Sequence, residues 1–307
     1  MSSAIDSSGN VHGVLVTGAT GFVGCKLVDA LGDQATMLSV RTASDSWAEP
    51  LRNRRCVVHL AARVHVMNDT VAEPLAEFRK ANVDITLALA NKAAQASVKR
   101  FIFMSSVKVN GEQTHPGHPF RTDDIPAPQD PYGISKMEAE VGLRKIAEQT
   151  GMEVVIIRPP LVYGPGVKAN FASMVRWLQR GVPLPLGAIH NHRSLVGLDN
   201  LVDLIVTCID HPAAANQTLM VSDGEDVSTT ELLRRMGAAL GKPARLISIP
   251  QGLLEWGAAL AGKHDVAQRL FSSLQVDSAP TCQLLGWNPP VSLDQGLLQV
   301  AKSVQNP

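Results

Sequence analysis

The first half of the chain alternates short apolar runs with longer amphipathic stretches. Val14–Val16, Ala35–Arg41, Cys56–Ala61, Arg100–Ser105 and Val154–Arg158 read as strands. Between them, Cys25–Leu31, Pro74–Ser97 and Tyr132–Gln149 read as helices, with Asp130 placed to cap the last. Pro159-Pro160 ends the fifth strand. Such alternation predicts an α/β fold with a doubly wound parallel sheet. Past Tyr163-Gly164-Pro165-Gly166 the pattern loosens into short helices, prolines and loops, as suits a smaller C-terminal substrate-binding lobe. The expected division is residues 1–165 and 166–307, with strands near 195–222, such as Leu219–Ser222, returning to the large sheet.

Composition narrows the picture by exclusion. Lys and Arg number 28 and Asp and Glu 28, so net charge gives no case for nucleic acid or an anionic membrane as partner. Any anion site must be local. Cys25, Cys56, Cys208 and Cys282 lack metal-ligand spacing and read as reduced thiols. The polar start MSSAIDSSGNVHG lacks the basic and apolar regions of a signal peptide, so a cytoplasmic location is expected. No apolar run is long enough to span a bilayer; the nearest, Leu253–Leu260, is short, contains Glu255 and reads as a packed helix.

Two motifs carry chemistry. In GVLVTGATGFVG (Gly13–Gly24) an apolar strand runs into a glycine-rich turn. Gly18 permits a tight turn, Gly21 lets backbone approach a pyrophosphate, and Gly24 lets the next helix pack closely. That helix aims its N-terminal N–H groups and positive dipole end at phosphates, so the segment predicts a dinucleotide site at the first turn of a Rossmann sheet. The second motif is Y-G-I-S-K, where Tyr132 and Lys136 lie one helical turn apart on a common face. An ammonium there favours the phenolate and predicts a tyrosine pKa drawn toward neutrality, usable as general acid or base.

The spacing T-G-x-x-G-x-x-G, FIFMSSVKVNG followed by Y-G-I-S-K, and R-P-P-L-V-Y-G-P-G (Arg158–Gly166) together resemble the extended short-chain dehydrogenase/reductase superfamily, in its nucleotide-sugar-modifying epimerase/dehydratase branch. The resemblance spans Gly13 to Trp287. It implies that Ser106, Tyr132 and Lys136 are catalytic, with Lys136 also on the nicotinamide ribose. It implies cofactor contacts from Gly18, Gly21, Phe22, Val23, Gly24, Ser105, Tyr132 and Pro159, with Leu60, Ala61 and Ala62 as a small-residue floor. Asn82 matches the family asparagine that braces backbone near the site; a plain helix asparagine is the alternative. Lys108 and Asn110 stand where the family often has Thr and Tyr, which leaves open the sugar contacts along that edge.

For substrate, the resemblance implies Asn170 at a pyrophosphate, Leu184-Pro185-Leu186 beside uracil, and Arg193 and Arg269 on phosphate oxygens. A surface salt bridge is the alternative for each arginine. His190 and His192 read as loop histidines, since no Cys or carboxylate cluster accompanies them, and no metal is expected. NAD-preferring members end the second strand with an acidic residue, whereas this chain places Arg41 there. An arginine suits a ribose 2′-phosphate, so NADP is favoured, with NAD possible.

These features predict NADPH-dependent reduction of a UDP-linked 4-keto-6-deoxy hexosamine, resembling reductases that make UDP-N-acetylquinovosamine-type sugars for bacterial surface polysaccharide. The rivals are an NAD-dependent UDP-hexose or UDP-N-acetylhexosamine 4-epimerase, a reductase of a non-nucleotide ketone, and a catalytically idle dinucleotide sensor. The two long helices are the surfaces through which the family's homodimer would form.

Overall fold

The computed structural model describes residues 13–41, 45–64, 73–115, 117–167, 169–262 and 264–305. Its frame is a six-stranded, wholly parallel sheet built from β1 (Gly13–Thr17), β2 (Ala35–Leu38), β3 (Arg54–His59), β4 (Arg100–Met104), β5 (Glu153–Arg158) and β8 (Thr218–Met220). The order is β2-β1-β3-β4-β5-β8. Side chains alternate between two cores with the period of a strand. Val14, Val16, Cys56, Val58, Ile102, Val155 and Ile157 face one layer, with α1 (Phe22–Leu31) and α7 (Leu198–Asp210). Leu15, Val57, Phe101, Phe103, Val154 and Ile156 face the other, against α4 (Ile85–Gln95) and α5 (Pro131–Thr150). Both faces are covered, so these strands must be apolar at nearly every position.

The fourth and fifth strands and the helix between them form as the sequence predicts. α5 starts where the Asp130 carboxylate accepts the Gly133 N–H at 2.6 Å and ends on Gly151 at φ +76°. The helix expected over Pro74–Ser97 is interrupted: α3 (Pro74–Arg79) passes through a π-turn (Lys80–Asp84) into α4. The second strand stops at Leu38 rather than Arg41. It lies at the sheet edge and pairs with β1, which turns away after Thr17, so residues 39–41 have no strand to pair with among the described residues.

Of the segments expected to return near 195–222, β8 joins β5, with Leu219 opposite Ile157. β7 (Arg193–Gly197) instead pairs parallel with β6 (Leu161–Tyr163) and antiparallel with β9 (Asp226–Val227) in a separate three-stranded sheet. Around it lie α6 (Ala169–Gln179), α8 (Thr229–Ala239), α9 (Gln251–Leu260), α10 (His264–Phe271) and α12 (Leu293–Gln305). Tyr163, Phe171, Leu195, Leu233, Met236 and Leu297 close a core of their own. The chain also forms α2 (Ala48–Leu51) and α11 (Ala279–Leu285). No helix among the described residues is long and apolar enough to cross a membrane.

Candidate active site

Strand order reverses between β1 and β3, so their carboxyl ends open a crevice where such sheets take ligands. Gly18 turns there at φ +68°, and a Cβ on it would lie 2.7 Å from the Ala61 nitrogen and 2.8 Å from the Leu60 carbonyl carbon. The glycine loop and the Leu60-Ala61-Ala62 segment are therefore packed backbone to backbone. The Leu60 N–H donates to the Thr17 carbonyl at 3.2 Å. A Cβ on Gly24 would lie 2.1 Å from the Gly18 carbonyl oxygen, so close packing here is of α1 on its own loop. Among the described residues no side chain caps α1 at Gly21, which leaves N–H groups of its first turn, at Phe22, Val23 and Gly24, for another acceptor. This cradle, glycine-lined and ending in an uncapped helix, fits a dinucleotide pyrophosphate.

β4 delivers Ser105 and Ser106 beside it, and α5 delivers Tyr132 and Lys136. The Lys136 ammonium donates to the Met104 carbonyl at 2.8 Å and sits 4.4 Å from the centre of the Phe103 ring and 5.9 Å from that of Tyr132. Burial pulls its pKa down to about 7, opposed by Glu140. Burial pushes the Tyr132 phenol up to about 12; Asp130 adds to the rise and the Ser106 hydroxyl opposes it. The expectation of a phenol drawn toward neutrality is therefore corrected. Desolvation of the ring dominates, with the Asp130 charge on the same side of the balance. Ser106, Tyr132 and Lys136 do come together, and Tyr132 stands there as a proton donor.

Other predicted residues fall in varied places. The Ser105 hydroxyl donates to the Glu140 carboxylate at 2.5 Å and is committed away from the crevice. Asn82 lies fully buried in the π-turn, donates to the Arg63 carbonyl at 3.0 Å and accepts the Arg63 N–H at 2.8 Å, clamping the irregular segment that follows β3. Lys108 pairs with Glu112 and Asp130, and buried Asn110 accepts from Arg158 at 3.0 Å. Arg41 is exposed beyond β2.

In the smaller lobe, Leu184 and Leu186 are buried in its core, which leaves Pro185 as the exposed side chain of that segment. The segment is held by a bond from the Ile247 N–H to the Leu184 carbonyl at 2.9 Å and by Thr230 donating to the Leu186 carbonyl at 2.6 Å. Arg193 opens β7 and donates to the Ser272 carbonyl at 3.1 Å; burial lowers its pKa. Asn170 and Arg269 lie on α6 and α10, and their side chains are outside the described residues. His190 and His192 are exposed on either side of buried Asn191, and no metal-holding cluster occurs among the described residues.

Sequence reasoning missed His59. It is 1% exposed, with Nδ1 2.7 Å from the Thr17 hydroxyl and Nε2 2.9 Å from that of Thr86. Thr86 gives its own proton to the Asn82 carbonyl at 2.8 Å, so it accepts from His59 Nε2–H. Burial with the nearby Lys136 pulls the imidazole pKa down to about 3, so the ring is neutral and Nδ1 accepts from Thr17. A histidine inside the apolar run Cys56–Ala61 was the available signal.

The sequence pattern of the NAD dependent epimerase/dehydratase family matches residues 14–222. The chain belongs to that family. A UDP-glucose 4-epimerase of Vibrio cholerae is 50% identical over 310 residues, covering 94% of each chain. Among solved structures, a short-chain dehydrogenase/reductase superfamily protein from Agrobacterium tumefaciens with bound NAD superposes with a TM-score of 0.76 at 20% identity, covering 96% of this chain and 97% of its own. RMD from Pseudomonas aeruginosa complexed with NADPH gives 0.74 at 21%, covering 95% and 98%. At these identities the two structures speak for the shared fold. Neighbours of this epimerase/dehydratase chain thus carry either dinucleotide.

Proposed function

We propose that the protein carries out hydride chemistry at C4 of a UDP-linked hexose and interconverts its C4 epimers. The observation that carries this reading is the 50% identity, over 94% of both chains, to a UDP-glucose 4-epimerase. It takes precedence over the reductase expected from the sequence. When bound in the glycine cradle, a nicotinamide dinucleotide supplies the hydride-accepting carbon and, oxidised, a positive charge. Under that charge Tyr132 would give up its own proton to solvent, and its phenolate would accept the C4 hydroxyl proton and hand it back to the same oxygen; the hydride would come back to the other face of C4, so that no cofactor is consumed overall. Ser106 holds the C4 oxygen beside the phenol, and Lys136 supplies the local charge. Arg193, the first residue of β7, suits the substrate diphosphate, so that remote binding energy orients the reacting carbon.

One observation favours a second reading, reduction of a UDP-linked 4-keto sugar by NADPH. No carboxylate follows β2; Ser39, Val40 and Arg41 stand there. An arginine at this point suits a 2′-phosphate.

The two readings separate in one pair of reactions. UDP-glucose or UDP-N-acetylglucosamine with NAD, followed by sugar NMR, is expected to yield the C4 epimer without net NADH. Tyr132→Phe is expected to slow this by at least about 100-fold. Absence of an epimer, together with stoichiometric NADPH loss on a UDP-4-keto-6-deoxy sugar, would establish the reductase instead. In that case Arg41→Ala should weaken NADPH more than NADH.

A further inference from the structure

Behind the candidate site lies a charged cluster that the proposed chemistry does not use. Glu140 follows Lys136 by one turn of α5, on the same buried face, and is 1% exposed. Its carboxylate accepts Arg158 Nε at 2.9 Å and Nη2 at 2.6 Å, a bidentate pair with a guanidinium 2% exposed. The same carboxylate accepts the Ser105 hydroxyl and, from the surface side, Arg144 at 3.0 Å. Asn110 completes the cluster: it accepts from Arg158 and donates to the Arg121 carbonyl at 2.8 Å.

The segments that carry Ser106, Tyr132, Lys136 and Pro159 all meet this cluster. Ser105 precedes Ser106, Glu140 shares a helix with Tyr132 and Lys136, and Arg158 precedes Pro159. A buried ion pair is a weak source of stability, because desolvation of two charges offsets their attraction. Its place therefore calls for another reason, and the nearest one is the lysine beside it. The titratable groups that face Lys136 are Tyr132 and Glu140 on its own helix and His59 on β3. Glu140 is the carboxylate of the three, and its oxygens accept from Ser105, Arg144 and Arg158. How strongly that anion acts depends on how far Arg158 and Arg144 neutralise it.

We propose that Glu140 is a positioning residue that keeps Lys136 charged, and that Arg158 and Arg144 attenuate its effect. The pair works as a balanced counter-charge: enough to hold the ammonium in a buried place, not enough to fix it there permanently. The proposal rests on the assignment of Lys136 to the reaction, but its test needs no substrate. Lysine labelled at Nζ with 15N can be titrated by NMR in the full-length protein, with Lys136 assigned by its loss in Lys136→Met.

Glu140→Gln is expected to lower the Lys136 midpoint by about one pH unit or more, and Arg158→Met to raise it. A purely structural role would move neither, or both in the same direction, and either result overturns the proposal. If a core variant fails to fold, Arg144→Ala decides. That side chain is 43% exposed and touches Glu140 from outside, so the buried pair stays intact. A rise of about 0.3 pH units supports the proposal, and an unmoved midpoint overturns it. Failure of both sugar assays with an intact pattern of Lys136 shifts would count against the proposed function alone.

Discussion

The crevice side of the six-stranded sheet and the outer side of the smaller lobe are built on different terms. At the crevice, polar groups are buried and each is spoken for: Thr17, His59, Thr86 and Asn82 form one directed chain, and Ser105, Glu140, Arg158 and Asn110 form another. In the lobe, α9 contributes no fully buried residue, and Leu253, Trp256 and Leu260 are 60%, 66% and 71% exposed. Hydride transfer tolerates little misplacement, so the reacting groups sit on strands and a long helix with their rotamers locked. On the proposed function, selecting a sugar asks for adaptable contacts, which short helices and loops such as those of the smaller lobe can supply.

The comparison breaks most visibly at the glycine loop. Gly24→Ala puts a Cβ 2.1 Å from one backbone oxygen and 2.7 Å from the Ala19 Cα, and neither can swing aside. The expected loss is about 2–4 kcal/mol by urea unfolding, with dinucleotide affinity falling alongside. A variant as stable as the parent would show the loop to be slack.

The hydrogen-bonded chain through His59 supplies a finer test through pH. Its pKa falls from 6.5 to about 3 on folding. The unfolded chain therefore takes up a proton that the native state refuses as pH drops below 6.5. Stability from this group is full above that value and is lost progressively toward pH 3. His59→Gln keeps a donor and an acceptor but cannot titrate. The stability gap between parent and variant should shrink by roughly 2–3 kcal/mol between pH 7 and 4.5. Parallel curves would mean that the imidazole is not held neutral.

The smallest effect belongs to the lobe. Trp256→Ser is expected to leave stability within about 0.5 kcal/mol of the parent and turnover unchanged. A larger loss would mean that α9 is fixed as tightly as the crevice.

Much of the crevice was legible in the chain because it depends on local spacing. The glycine turn occupies residues 18–24, and Tyr132 and Lys136 stand one turn apart. What was not legible depends on distant partners. His59 finds Thr17 across 42 positions and Thr86 across 27. Glu140 and Arg158 sit on different elements. The pairing of Leu184 with the chain near Ile247, which turns the Leu184 and Leu186 side chains into the lobe core, was not legible either. The Tyr132 pKa was misjudged for a related reason: spacing reveals a neighbouring charge but not how much water either group has lost.

The π-turn between α3 and α4 sets an angle. One residue of surplus length rotates everything before it by about 100° relative to an uninterrupted helix. The part before the turn carries Phe78, whose ring meets Tyr132 edge-on at 6.2 Å, and Arg79, which grips Glu138 at 2.6 Å. The part after it carries Thr86 to His59. A straight helix could index only one of these two sets to its partners. The bulge works as a vernier between them, so the aim of the catalytic ring is tuned by the length of the chain as well as by its chemistry.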